Sequence, residues 1–151
     1  LAVATTHDLP TLTGFWSGED LHVRARLGAL PDDETRRRAW EERWRDKAQI
    51  LRALQRESLL PPGVTEDLAT APVMTTELCQ AIHLYLARTP ACLVLANLED
   101  GLGELSQTNL PGTIDSHPNW TRKYAVHVDE ILSDERLQRL GAALRSTRPL
   151  G

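Results

Sequence analysis

The sequence predicts an α/β fold in which two parallel strands are separated by mostly helical chain. Three observations carry that reading. Residues 1–6, "LAVATT", are a short apolar and β-branched run. Residues 91–98, "ACLVLANL", are a nearly continuous apolar run, the pattern of a strand buried on both faces in a parallel sheet. The stretch between them carries helical periodicity long enough to cross from one strand to the next. Two strands are too few to close a barrel or cover a sheet, so the pattern reads as a piece of something larger.

Each element follows from local chemistry. Leu1 to Thr6 is the first strand, and Pro10 and Gly14 punctuate the chain behind it. Ser17-Gly18-Glu19-Asp20 opens a helix with Leu21, Val23, Leu27 and Leu30 on its apolar side. Pro31-Asp32-Asp33-Glu34 opens a second, its acids placed where the helix dipole favours them. From there to about Leu59 runs the longest periodic segment. Trp40, Trp44, Leu51 and Leu54 fall on one stripe, the two tryptophans predicted for the core, and Pro61-Pro62-Gly63 ends it. Thr65 to Ala71 reads as a short helix. Thr75-Thr76-Glu77 caps another with Leu78, Ile82 and Leu86 on one face, stopped by Thr89-Pro90. Glu99-Asp100-Gly101 closes the second strand, and the loop-rich "QTNLPGTIDSHPNW" follows. The last helical segment, Val126 to about Ser146, breaks near Ser133. The chain thus reads as one unit over 1–151, strand-like at 1–8 and 91–98 and helical at 19–88 and 126–146.

Composition excludes several function classes. Of 151 residues, 41% are hydrophobic and 25% charged, the balance of a globular domain, and the net charge of −4 lacks the basic face that nucleic acid requires. Arg36, Arg37 and Arg38 are interleaved with Glu34, Glu41 and Glu42, a solvated helix face. No apolar stretch approaches the roughly 20 residues of a membrane span. Two cysteines, Cys79 and Cys92, make no disulfide framework and suit a reduced, cytoplasmic setting. Asn119-Trp120-Thr121 has the form of a glycosylation sequon, a triplet common by chance. The chain begins at Leu1 rather than Met, which suggests a processed or truncated product.

The residues open to chemistry are few. His7 and Asp8 stand at the end of the first strand, where α/β barrels gather their ligand chemistry. Both can face one pocket only if the strand breaks between them, as Leu9-Pro10 allows. The alternative is a polar strand exit with Asp8 capping the turn. Glu99 and Asp100 end the second strand. On neighbouring strands Asp8 and one of these acids could form a pair at the roughly 5 Å of retaining glycosidases; as readily, the two acids cap the next helix. His22, His83, His117 and His127 are scattered with no metal-ligand spacing, no nucleophile elbow exists, and phosphate-binding glycine motifs are absent, so neither metal nor cofactor is expected. Trp16 and Trp120 fall in loops, which leaves them open to binding.

Four stretches in order, "VATTHDLPTLTGFW" at 3–16, "LANLEDGLG" at 95–103, "NLPGT" at 109–113 and "HPNWTRK" at 117–123, together resemble the 4-α-glucanotransferases of glycoside hydrolase family 77, also called amylomaltases or disproportionating enzymes. Their order and spacing fit the C-terminal part of that family. The resemblance implies a C-terminal fragment of a (β/α)8 TIM barrel, with Leu1 to Asp8 as the seventh strand and Ala91 to Leu98 as the eighth. It implies transfer of an α-1,4-glucan segment to the 4-hydroxyl of an acceptor by a retaining mechanism. Asp8 matches the family's transition-state stabiliser, His7 its sugar-binding histidine, and Asn109 an asparagine near the substrate groove, while Glu99 and Asp100 look structural. The nucleophile and the acid/base belong to earlier strands absent from this chain, so the fragment alone is expected to be inert. An alternative is a carbohydrate-binding or oligomerising module; exposed strand edges predict a dimer or higher oligomer.

Overall fold

A computed structural model describes residues 1–148 of the chain. Strand β1 (Ala2–Val3) pairs in parallel with β2 (Val94–Leu95), Ala2 facing Val94 and Val3 facing Leu95. Between them lie α1 (Leu12–Ser17), α2 (Glu19–Arg26), α3 (Asp33–Arg56), a single 3-10 turn at Leu68–Thr70, and α4 (Thr76–Ala87); α5 (Leu98–Gly101), α6 (Val128–Ile131) and α7 (Glu135–Thr147) follow β2. The expected parallel pair is present, but each strand is much shorter than 1–8 and 91–98. It is also not buried on both faces, since Leu93 and Leu95 are 64% and 51% exposed. Among the described residues each strand has a single partner. Beyond Val3 and Leu95 the backbone leaves the ladder for side-chain bonds: Asn97 Nδ2 donates to Thr5 O at 2.6 Å.

The helix boundaries follow the capping residues. Asp32 accepts from Thr35 N at 2.7 Å to start α3, and Thr75 from Leu78 N at 3.1 Å to start α4. α3 ends at Arg56, ahead of the Pro61-Pro62-Gly63 stop. The break expected near Ser133 falls between α6 and α7, whose cap Asp134 accepts from Arg136 N at 2.9 Å. α1 lies where the sequence reads only Pro10 and Gly14 as breaks. Thr11 caps it by accepting from Gly14 N at 2.9 Å, and it closes at Gly18, whose φ of 81° is open to glycine. Trp40 of α3 lies where a Cβ on Gly18 would stand, so α1 and α2 turn a corner around that indole.

Two expectations for the tryptophans are reversed. Trp16 is no loop residue open to ligand: it sits in α1, is 2% exposed, and donates from Nε1 to Ala71 O at 2.8 Å. Trp44, predicted for the core, is 55% exposed. The inward face of α3 runs through Arg43, Lys47, Ile50, Leu51 and Leu54, one residue out of phase with Trp44. Leu51 and Leu54 pack against Trp16, Leu12, Leu78 and Ile82 to form the core. Arg43 is buried on this face because its guanidinium forks onto Asp20, at 2.8 Å and 2.7 Å, and also donates to Phe15 O. α7 packs mainly on α4 and on α5. No helix of the described residues is long and apolar enough to cross a membrane.

Candidate functional site

The chain following β1 makes one tight turn. Leu9 N donates to Thr6 O at 3.0 Å, which puts His7 and Asp8 at the two central positions of a turn. The strand has already ended at Val3, so strand alternation no longer drives the two side chains to opposite faces. His7 Nε2 and Asp8 Oδ2 lie 3.3 Å apart, each side chain about half exposed. Asn109 arrives from across the molecule, 101 residues away, and donates from Nδ2 to Asp8 Oδ1 at 2.6 Å. Its backbone N donates to His7 O at 3.0 Å. The three residues singled out in the sequence therefore form one contiguous cluster at the C-terminal end of the strand pair.

The loop that delivers Asn109 is tied internally. Leu110-Pro111-Gly112-Thr113 is a turn closed by Thr113 N to Leu110 O at 3.3 Å, with Gly112 at φ 83°, the geometry that Pro and Gly favour at those positions. Asn119 spans the loop: Oδ1 accepts from Leu110 N at 2.8 Å, and Nδ2 donates to Thr113 O at 3.1 Å. The sequon asparagine thus spends its side chain on holding the loop. Next to it Trp120 takes a φ of 59°, a conformation that costs a bulky residue about a kcal/mol or more. Trp120 N donates to Thr108 O at 3.0 Å, and the indole lies 5.1 Å from the His7 ring at 43° while remaining 63% exposed.

Neither Glu99 nor Asp100 is hydrogen-bonded to Asp8, and both lie in the first turn of α5, whose N-cap residue is Asn97. Glu99 Oε1 accepts from Thr108 Oγ1 at 3.3 Å and from the Tyr124 hydroxyl at 3.2 Å. Asp100 is buried, accepting from Thr5 Oγ1 at 2.5 Å and from Leu12 N at 2.7 Å. Burial pushes its carboxyl above the ordinary carboxylate range, against the pull of those two hydrogen bonds. Beside it Cys79 donates to Asp100 O at 3.3 Å, and burial pushes that thiol up to about 12. His83 is fully buried, its Nδ1 2.9 Å from Cys79 O. Thr5 and Asn97 are the members of this region that sequence reasoning did not place, whereas Trp120 was left open to binding. The available signal was that Thr5 and Asn97 are the polar residues ending the two apolar runs.

The cluster is open. The cavity beside it, lined by Thr5, Thr6, His7, Asn97, Glu99 and Thr108 among others, measures about 140 Å3, well under the roughly 300–1,000 Å3 of a ligand pocket. A larger cleft of about 660 Å3 lies elsewhere, between the end of β2 and α7, with mostly apolar walls. Among the described residues no group of three or more His, Cys, Asp or Glu is placed to hold a metal ion.

A family-wide sequence profile, described as 4-alpha-glucanotransferase, matches residues 1–128. The chain belongs to the 4-alpha-glucanotransferase family. It is 36% identical over 137 residues to the 4-alpha-glucanotransferase of Haemophilus influenzae, a match covering 91% of this chain and 19% of that protein. It is 31% identical over 152 residues to that of Mycobacterium bovis, covering 97% and 20%. The amylomaltase of Corynebacterium glutamicum superposes with a TM-score of 0.79 at 29% identity, over 94% of this chain and 21% of that one. The chain therefore spans about a fifth of the length of these relatives. The family profile covers the whole His7–Asp8–Asn109 cluster and its supporting loop, and ends at the start of α6.

Proposed function

We propose that this chain is the C-terminal portion of the catalytic barrel of a 4-α-glucanotransferase, with β1 and β2 as its last two barrel strands. In this reading it supplies part of an active site that cleaves an α-1,4-glucan and passes the segment to an acceptor 4-hydroxyl. The observation that carries it is the His7–Asp8–Asn109 cluster at the ends of two parallel strands, where barrel enzymes place their chemistry. Asp8 acts as the transition-state stabiliser. Positive charge builds on the sugar ring in an oxocarbenium-like transition state, and a fixed carboxylate near the ring favours that state over the ground state. Asn109 holds Oδ1 by its hydrogen bond, so the carboxylate does not have to reorganise as charge develops. His7 donates to a sugar hydroxyl and fixes the pose, and Asn109 borders the groove. The nucleophile and the acid/base come from parts of the barrel outside these 151 residues, so the chain alone is inert. Its setting is cytoplasmic.

The test uses maltotriose. The isolated chain is expected to release no glucose and to make no longer maltodextrins. A chimera carrying this segment in place of the matching part of the Haemophilus influenzae 4-alpha-glucanotransferase is expected to turn over. In it, Asp8→Asn should lower kcat by about 10²–10³-fold, the usual cost of losing one transition-state stabiliser. Turnover by the isolated chain, or an Asp8→Asn chimera as active as its parent, refutes the assignment.

A second reading has one observation in its favour: the exposed Trp120 indole beside His7 offers a stacking face for a sugar. As a binding module the chain would take up maltodextrin alone, with loss in Trp120→Ala or Asp8→Ala by calorimetry. Absence of heat at millimolar maltodextrin removes this reading. The open strand edges and exposed Leu1, Leu93 and Leu95 favour self-association of the isolated chain, which light scattering reads; a monomer at every concentration refutes it.

A further inference from the structure

We propose that Asp100 is a positioning residue for the His7–Asp8 turn, one acceptor-only side chain holding both ends of the segment on which the site stands. The inference rests on the proposed role of His7 and Asp8. Thr5 immediately precedes the turn and Leu12 is the first residue of α1, so residues 6–11 are suspended between them. Asp100 binds each end with a separate oxygen: Oδ2 accepts from Thr5 Oγ1 at 2.5 Å and Oδ1 from Leu12 N at 2.7 Å. Asp100 is 3% exposed, and no Lys or Arg pairs with it among the described residues. Burying a carboxylate without a counter-charge is costly, and hydrogen bonds to both of its oxygens offset that cost.

The direction of the bonds supplies the reason for a carboxylate at residue 100. Asn97 Nδ2 donates to Thr5 Oγ1 at 2.9 Å, so the threonine hydroxyl receives there and must give its own proton onward. Leu12 N can only donate. Residue 100 therefore meets two donors and needs two acceptors, which a carboxylate has and an amide lacks. The chain Asn97 to Thr5 to Asp100 is one ordered relay of donors, each bond strengthening the next. Thr11 adds a further tie from the same side, donating to Glu104 O at 2.6 Å. The turn is thus fastened from beneath by residues 97, 100 and 104, while its exposed side meets Asn109 and Trp120.

The experiment compares Asp100→Leu, Asp100→Asn, Thr5→Val and Thr5→Ser in the full 151-residue chain by NMR. The readouts are the Asn109 side-chain amide resonances, which report its bond to Asp8, the His7 ring resonances, and amide exchange of Leu9. Asp100→Leu and Thr5→Val should shift the Asn109 and His7 signals and speed Leu9 exchange by about tenfold or more, with amides in α3 unchanged. Asp100→Asn should fall between these and wild type, and Thr5→Ser, which keeps the hydroxyl, should restore the wild-type signature. Wild-type Asn109 and His7 signals in folded Thr5→Val overturn the proposal, and this pair decides alone if Asp100→Leu fails to fold. In the chimera, Thr5→Val should lower kcat about tenfold to a hundredfold, as small misplacements do, with KM within about threefold, and Thr5→Ser should recover it. An unmoved kcat in an active chimera also overturns the proposal. A chimera inactive with the wild-type segment instead refutes the proposed function, and the NMR signature then decides on Asp100.

Discussion

In the helical body, Trp16, Leu51, Leu54 and Leu78 are each no more than 2% exposed and cover one another. On the strand face, Leu1, Leu93 and Leu95 stand half or more in solvent around a two-strand ladder. Both regions are apolar in sequence, so hydrophobicity alone does not separate them. The body is well covered because helices supply most of their own backbone partners, side chains cap their ends, and α3 finds α1 and α4 within the same 100 residues. Among the described residues no strand pairs with the outer edges of the ladder. The site lies on the border between the two, and polar side chains rather than a continuous ladder hold it there.

The comparison can be broken by mutation, the largest effect first. Arg43→Met leaves Asp20 buried with no counter-charge and should cost about 3–5 kcal/mol in urea unfolding. A cost near zero would mean that the pair contributes nothing to the body. Leu54→Ala should cost about 2–5 kcal/mol, and Leu95→Ala, on the open face, no more than about 0.5 kcal/mol. Equal losses at the two positions would show that the strand face is covered in solution.

Asp134→Ala removes the α7 cap and should cost about 1 kcal/mol at neutral pH. The hydrogen bonds from Arg136 hold this carboxyl down at about 2. Its contribution is therefore present above the ordinary carboxylate value of 3.8 and is lost as pH falls through about 2, so the variant and wild type should converge there. A difference that persists at that pH would assign the effect to packing. The smallest effect is chemical: Cys92 is exposed and Cys79 buried with a raised pKa, so a thiol reagent should label one cysteine in the native chain and two after unfolding. Rapid labelling of both would place Cys79 in a locally open region.

Much of the frame was legible in the sequence. Acidic and threonine caps located the starts of α3 and α4, and the apolar runs located two strands that pair in parallel. What escaped has physical causes. Pro10 and Gly14 read as breakers, yet Pro10 precedes a threonine cap and Gly14 sits inside α1, where a Cβ would collide with the Leu105 carbonyl. Apolar periodicity placed Trp44 inward because it cannot register a buried arginine, and Arg43 holds the true inward phase through Asp20. At the site, the turn position of His7 and Asp8 was within reach of the strand-break argument. The bond from Asn109 to Asp8 was not, since no local rule links residues 101 positions apart; family resemblance alone named the three together. The partners of Asp100 were out of reach for the same reason, because they lie at residues 5 and 12.

The ladder that joins residue 2 to residue 94 also sets an order in time. Helices form in about a microsecond or less, whereas a parallel contact across so long a loop must wait until the loop's closure entropy has been met by other contacts. α3 and α4 shorten the path by folding against each other, and only then do Thr5 and Asp100 come within reach. The turn bearing His7 and Asp8 is therefore expected to be among the last parts of the chain to mature. Its chemistry depends on when the helical body folds, as well as on where that body lies.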